Sequence, residues 1–596
     1  MDRADRRARI ARSLALLLTL SLGAIAVVLF MQFAAVDGLQ PLDFARLALI
    51  TISTLWLAWG ASQSVVGLFY RPSVHDNRGG VARISKRTAI LVPIYNENPA
   101  ETFSRVFAMD RSLGREKLNG LFDFAILSDT RDPDVASAEE AWFERLLKES
   151  DGKGRMFYRR RAENRGKKAG NVEDFMTRHG GAYEFALILD ADSLMSGSAI
   201  VEMVRRMEAE PQLGLLQTLP QIVNARSMFG RSMQFSAGFF SLVFARGIAL
   251  LSGRSGPFWG HNAIVRTRAF AASCGLPVLR GQPPFGGHVL SHDYVEAALL
   301  VRNGWIVRLD TDIEGSFEEG PENLIEFAKR DRRWCQGNLQ HSRLLSAPGL
   351  TGWSRFVFFQ GILAYVSSPV WALFVILSLV APYFAPSPDY FPQPYQLFPV
   401  FPDDQTSKAI TLLVGIFGLL ILPKLLILAQ AILSGRAGGF GGAARSGLSV
   451  LCELVTSSLL APVFMLFQSR SVIQVLTGSD GGWPATRRGA QALEMGEAWA
   501  ASRWMVLIGA GTLLATGYFV PAMLVWLIPI AVPMLFAPML IWFTARPFAG
   551  PVYQTPQESD PAMILVDRQA ILDRWTQTQA IPARAEAGPT GALTHA

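Results

Sequence analysis

Two aspartates one residue apart, Asp190 and Asp192, directly follow the apolar stretch Phe185 to Leu189. Carboxylates so spaced at the end of a strand can hold one hard cation, and Mg2+ (or Mn2+) favours oxygen ligands while keeping positions open for substrate phosphates. A cation there would neutralise charge on a departing nucleoside diphosphate. Taken alone, the pair reads equally well as a helix N-cap. Two more strand ends carry similar groups: Tyr95-Asn96-Glu97 after Thr88 to Ile94, and Ser128-Asp129-Thr130 after Phe122 to Leu127. Glu97 and Asp129 can accept hydrogen bonds from a base or ribose. Lys167-Lys168-Ala169-Gly170-Asn171 sets lysines beside a glycine, which lets backbone and ammonium approach a diphosphate. The plainer readings are turn residues for Asn96 and Asn98 and a solvated face for Lys167 and Lys168.

Farther along, Phe258-Trp259-Gly260-His261-Asn262 combines an aromatic surface with hydrogen-bonding neighbours, which suits the apolar C–H face of a sugar acceptor as well as it suits a core aromatic. Ser291-His292-Asp293 resembles a hydrolase triad only in composition, because three consecutive residues cannot take up the relay geometry. Asp293 alone, at the start of the helical stretch Tyr294 to Arg302, is a better general base for an acceptor hydroxyl, the alternative again being an N-cap. Arg330, Arg332, Arg333 and Trp334 add guanidinium groups that match diphosphate oxygens, or else form a charged helix face.

The elements that must position these groups alternate between short apolar runs and amphipathic stretches from Arg71 to about Gly349, the pattern of an α/β domain with a mostly parallel, doubly wound sheet. Ligands of such sheets bind at the carboxyl ends of the strands, so the three strand-end groups can converge on one cleft. Half of the 596 residues are hydrophobic, and apolar runs flank the domain on both sides. Leu14 to Val36 follows five arginines and is too long for a signal peptide, and Leu47 to Phe69 follows it. Phe356 to Tyr383, Ile410 to Ile432 and the two-helix run Met505 to Phe543 complete six expected spans. Leu448 to Phe467, with Glu453, Ser457, Ser458 and Pro462, is expected to lie along the interface, because a seventh span would put Arg470, Arg487 and Arg488 outside. Both termini are then cytoplasmic. The net charge of +7 follows membrane flanks, and no base-reading module is recognisable, so nucleic acid is excluded as a partner. Cys274, Cys335 and Cys452 show neither a disulfide framework nor zinc spacing.

Together these motifs resemble the processive branch of glycosyltransferase family 2 that includes the cellulose synthases. Asp129, the Lys168 to Asn171 motif, Asp190 with Asp192, Gln217-Thr218, Phe258 to Asn262 and Asp293 all match that branch's pattern. The resemblance implies a GT-A-type Rossmann-like domain inserted between transmembrane helices, and it makes Asp293 the base and Asp190 and Asp192 the metal pair. It further implies nucleotide-sugar contacts from Glu97, Asp129, Lys168, Asn171, Asp190, Arg330, Arg333 and Trp334. Trp259, His261, Asn262, His292 and Trp334 would meet the acceptor, and Thr477 would belong to a gating loop.

Ser291 to Leu299 and Lys329 to Asn338 look like the members of that family that make osmoregulated periplasmic glucans. That likeness implies UDP-glucose as donor, a β-linked and usually β-1,2 glucan, and the bacterial inner membrane with its lipids. Export of the growing glucan, a periplasmic glucan-processing protein and acyl carrier protein come with it. A synthase of another β-polysaccharide such as cellulose, or a transporter or scaffold with an inactive transferase domain, are the competing readings. Ser291-His292 stands where cellulose synthases have Thr-Glu, and Arg330-Asp331 where they have glutamine and arginine, which points to a changed acceptor orientation. The expected division is two transmembrane helices in 1–70, the cytoplasmic transferase in 71–350, two spans in 351–433, the interfacial helix and gating loop in 434–502, two spans in 503–546, and a cytoplasmic, mostly disordered tail in 547–596 with one amphipathic turn near Ile564 to Trp575.

Overall fold

The structure, a computed structural model, describes residues 3–35, 39–70, 84–385, 390–391, 395–399, 406–479 and 493–577. Two long helices, α1 (Arg3–Ala34) and α2 (Pro41–Phe69), come first. The transferase region then runs through β1 (Thr88–Ile94), α3 (Pro99–Arg115), β2 (Phe122–Ser128), α4 (Pro133–Ser150), β3 (Met156–Arg160), α5 (Lys167–His179), β4 (Phe185–Ile188) and β5 (Leu194–Met195). It continues with α6 (Gly197–Ala209), β6 (Leu213–Thr218), β7 (Gln221–Val223), α7 (Met228–Phe239), α8 (Ser241–Ser252), β8 (Ala263–Arg266) and α9 (Thr267–Ser273). The small hairpin β9 (Val278–Leu279) and β10 (Gly287–His288) precedes α10 (His292–Arg302), β11 (Ile306–Asp310), β12 (Ser316–Glu319) and α11 (Leu324–Gln340). The last part consists of α12 (Gly352–Phe384), α13 (Thr406–Leu433), α14 (Ala443–Leu476), α15 (Met495–Phe519), α16 (Leu524–Leu535), α17 (Ala537–Thr544), α18 (Pro556–Ser559) and α19 (Met563–Gln577).

The main sheet has seven strands in the order β11-β6-β8-β4-β1-β2-β3. Every residue of β1 and β2 is buried, as continuous apolar strands must be when helices cover both faces. Leu91 of β1 pairs in parallel with Ala125 of β2 and with Ile188 of β4, so the chain leaves all three strands at the same edge. That register brings Tyr95-Asn96-Glu97, Asp129 and Asp190 to one rim. The expected α/β, doubly wound domain is present, with β8 antiparallel between β4 and β6. A second sheet, β5-β12-β7, lies beside the Asp190 loop.

Among the described residues six helices are long and apolar enough to cross a membrane: Asp5–Ala34, Pro41–Phe69, Gly352–Phe384, Thr406–Leu433, Ala443–Leu476 and Met495–Phe519. The segment expected along the interface, Leu448 to Phe467, is thus the middle of the 34-residue α14. The polar character that argued against a span is answered inside the bundle, where Glu453 accepts from Lys424 of α13 at 2.7 Å. The second helix expected in Met505 to Phe543 is broken. Pro521–Leu535 and Ala537–Thr544 meet at 56°, with Pro529, Pro533 and Pro538 removing backbone donors near the break.

The transferase region also holds an apolar bent pair that its sequence pattern did not announce, α7 and α8. Helix α8 touches α2 through two glycines: a Cβ on Gly67 would stand 2.0 Å from the Val243 carbonyl oxygen, and one on Gly247 would stand 2.2 Å from that of Gln63. Arg12 of α1 caps the same helix by donating to Leu251 O and Ser252 O. The tail expected to be mostly disordered is ordered through residue 577. Helix α19 buries Ile564, Ile571 and Trp575 in the core shared by α3 and α4, and this packing outweighs its low intrinsic apolarity. Residues 578–596 and the expected gating loop beyond Ser479 lie outside the described residues.

Candidate active site

The donor side is built on strand ends. Asp129, nearly buried after β2, receives Nε and Nη2 of Arg161, each at 2.7 Å. Arg161 follows β3 and also donates to the carbonyl of Lys167, which ties the two loops together. Asn96, in the left-handed region at φ 52°, donates its N–H to Thr130 Oγ1 and accepts from Arg131 and Asp132, so it clasps the β1 loop to the β2 loop. Asn98 caps α3. Glu97 is half-buried between them at the rim.

Helix α5 starts so close to the preceding loop that Gly170 is obligatory, a Cβ there standing 2.1 Å from the Arg165 carbonyl oxygen. Its first turn delivers Lys168, whose Nζ donates to Asp190 Oδ1 and, at 2.7 Å, to the Gly260 carbonyl. Asn171, expected to touch the nucleotide, is fully buried and donates to Leu127 O, with Arg159 on its own oxygen. It pins α5 to β2, because an amide buried beside a strand end must satisfy backbone groups first.

Asp190, Ala191 and Asp192 form the turn after β4, closed by Asp190 N–H on Ser193 Oγ. Arg105 of α3 holds the middle residue, donating to Ala191 O at 3.2 Å. No group of three or more His, Cys, Asp or Glu side chains is arranged to hold a metal among the described residues. A pair of carboxylates, already drawing the Lys168 ammonium, is nonetheless the donor set a Mg2+ nucleotide site uses, since that ion takes one or two carboxylates and completes its shell with water and phosphate.

The acceptor loop rests on β6. Gln217 accepts the Trp259 N–H and donates to His261 O at 3.0 Å, and Thr218 donates to Asn262 O at 2.8 Å. Asn262, expected at the acceptor, is fully buried and donates to Ser316 Oγ and Phe317 O. It anchors the loop to β12 and does not line the cleft. Trp259 and Tyr294 instead wall a cavity of about 210 Å3 whose far side is Trp56 and Trp59 of α2 and Trp353 of α12. Gly260 takes φ +83°, which favours glycine, and a Cβ on it would lie in ordinary contact with Asp293, 3.8 Å from its Oδ2. The carbonyl that accepts Lys168 therefore belongs to a residue beside Asp293.

Asp293 is in the first turn of α10. Burial raises its pKa, against the pull of His292. His292 lies 3.1 Å from Glu296; burial works against its charge, but Glu296 and Asp293 prevail and raise its pKa. Glu318 of β12, which sequence reasoning missed, faces His261 at 3.4 Å. Burial raises the Glu318 pKa, His261 and Arg330 oppose, and Asp190 and Asp192 reinforce, so all five groups share one electrostatic neighbourhood. Two acidic residues in succession on a short strand were its only sequence signal.

Helix α11 closes the site. Arg330 lies 5.9 Å from the ring centroid of the exposed Trp334, and Arg333 is half-buried in the same turns. Asp331 and Arg332 point instead to the membrane helices: Asp331 accepts from Tyr365 and Gln468, and Arg332 donates to Gln474 Oε1 at 2.8 Å. Gly337 lets this helix reach the Ser291 loop, a Cβ there standing 2.2 Å from Ser291 Oγ. Thr477, expected in a gating role, caps α14 by donating its hydroxyl to Ile473 O.

A mostly parallel sheet that carries an Asp-x-Asp turn and a lysine-bearing helix start at one rim is the framework of a glycosyltransferase, and the family model "Glycosyl transferase family group 2" matches residues 185–385. A glucans biosynthesis glucosyltransferase H of Cereibacter sphaeroides is 58% identical over the whole of both chains. Namesakes from Vibrio cholerae and Rhodopseudomonas palustris are each 39% identical, over 91% and 98% of this chain and 76% and 81% of theirs. The chain belongs to the glucans biosynthesis glucosyltransferase H family.

Proposed function

We propose that this chain polymerises glucose from UDP-glucose into the β-linked, chiefly β-1,2, backbone of osmoregulated periplasmic glucans at the bacterial inner membrane. Its transferase domain and termini are then cytoplasmic, and its partners are the growing glucan, membrane lipids and, following the family likeness, a periplasmic processing protein and acyl carrier protein. The observation that supports the reading is Lys168, which donates both to Asp190 and to the carbonyl of Gly260, the glycine whose missing side chain would stand beside the half-buried Asp293.

Asp293 takes the proton of the acceptor hydroxyl. The acceptor oxygen forms its bond to the anomeric carbon as the bond to the diphosphate oxygen breaks, and UDP leaves with the electron pair, inverting the α-linked donor to a β product. A carboxylate raised by burial is a stronger base, and positioned base catalysis is worth about 10²–10⁴ in rate. Lys168, Arg330 and Arg333 stabilise the leaving diphosphate, an electrostatic contribution that is usually the largest. Asp190 and Asp192 would hold Mg2+ or Mn2+, which when bound neutralises diphosphate charge. Trp259 stacks on the acceptor ring and His292 orients it, while the cavity behind them, walled by α2 and α12, leads the product toward the membrane helices. The test is the purified protein with UDP-glucose and Mg2+. A β-1,2 polymer by linkage analysis is expected, and a β-1,4 product or none overturns the reading.

A further inference from the structure

The transferase core is completed by the far end of the chain. Trp575 of α19 is fully buried, stacked on Phe107 with ring centroids 6.0 Å apart, and its indole N–H donates to Glu149 at 2.9 Å. From the same helix the nearly buried Arg568 reaches Glu319 of β12, Nη2 to Oε1, at 3.6 Å. The other carboxylate oxygen of Glu319 meets Arg105 Nη2 at 2.9 Å. Arg105, itself buried, spends its second terminal nitrogen on the carbonyl of Ala191, between Asp190 and Asp192. Burial pushes the Glu319 carboxyl up, but Arg105 and Arg568 overcome it and hold it below its ordinary value.

We propose that Arg568 is a positioning residue for the donor site: through Glu319 and Arg105 it fixes the turn that aims the Asp190 and Asp192 carboxylates, making the carboxyl-terminal helix part of the catalytic apparatus. The physical ground is that the half-buried Glu319 stands between two guanidinium groups, with Asn224 donating to Oε1 at 3.2 Å, so removing Arg568 leaves Arg105 as its one cationic partner in this network, free to turn further onto Glu319 and slacken its hold on Ala191. Charge pairs in one network are coupled, so the effects of changing neighbours of this kind do not simply add. Strand β12 transmits the pull because it pairs with β5 immediately after the Asp192 turn, Phe317 opposite Leu194.

The inference rests on reading Asp190 and Asp192 as the diphosphate-binding turn, and the experiment separates the two. Purified full-length protein is titrated with UDP by calorimetry, once with Mg2+ and once in EDTA. Wild type is expected to bind UDP more tightly with Mg2+. Arg568→Gln should lose about tenfold of that Mg2+-dependent affinity, with its EDTA affinity unchanged, Arg568→Lys should recover most of it, and Glu319→Gln should show the same loss. The double variant Arg568→Gln with Glu319→Gln should lose no more than either single one. Wild-type Mg2+-dependent affinity in Arg568→Gln, or losses that simply add, overturns the proposal. Should Arg568→Gln fail to fold, Glu319→Gln decides alone by the same reading. If wild type binds UDP no better with Mg2+ than in EDTA, it is the assignment of the donor turn that falls.

Discussion

On the donor flank of the cleft two carboxylates meet full cations: Arg161 clasps Asp129 with two hydrogen bonds, and Lys168 reaches Asp190. On the acceptor flank Asp293 and Glu318 have only histidines or a more distant arginine against them, and burial wins, raising both pKa values. Paired carboxylates of the first kind hold geometry and leave cations at hand for an anionic ligand. Half-buried ones of the second kind, with only weak opposing charge, are poised to accept a proton. The same kind of group therefore has two electrostatic characters on the two flanks, and the neighbours assign them.

Removing the acceptor-side carboxylate should have the largest effect. Asp293→Asn is expected to cut glucan synthesis about 10³-fold in a radiolabel assay. It should also stabilise the protein at neutral pH, since a raised carboxyl favours folding below its unfolded pKa of about 3.9 and loses that contribution as pH rises through the folded value. The gain in unfolding midpoint should accordingly shrink as pH falls. On the donor flank, Asp192→Asn or Lys168→Ala should cost about 10²-fold in kcat/KM for UDP-glucose, measured as UDP release. Equal losses on both flanks with no stability gain in Asp293→Asn would erase the contrast.

Outside the cleft, Trp575→Ala should destabilise the transferase core by about 3–5 kcal/mol, read from chemical unfolding. A subtler probe is His292→Gln. His292 lowers the Asp293 pKa, so its loss should move the acid limb of the kcat/KM profile to higher pH. The smallest effect is expected at Thr477→Ala, about twofold or less in synthesis rate, because its hydroxyl serves its own helix end.

The alternation of strand and helix and the chemistry at three strand ends were legible because each lies in one contiguous stretch whose apolar run stops at a polar group. Partnership was not. Nothing near Asp129 in sequence names Arg161, and Asn171 and Asn262 carry the same amide whether they face a ligand or a buried carbonyl. Glu453 looked too polar for an apolar helix until Lys424, 29 residues earlier, was beside it. In the tail the amphipathic character of Ile564 to Trp575 was legible, but the length of its helix and what it packs on were not, for a related reason. Ile564, Ile571 and Trp575 make one apolar face on a helix of low overall apolarity, and such a face acquires meaning only when α3 and α4 are present to bury it.

Helix α19 is translated after every membrane-crossing candidate in the chain, yet its Trp575 sits in the middle of the domain that began some 480 residues earlier. Domains ordinarily fold in the order they leave the ribosome, at about 5–20 residues per second. This one acquires its closing piece last, so until α19 has been made the faces of α3 and α4 that bury Ile564, Ile571 and Trp575 have no cover.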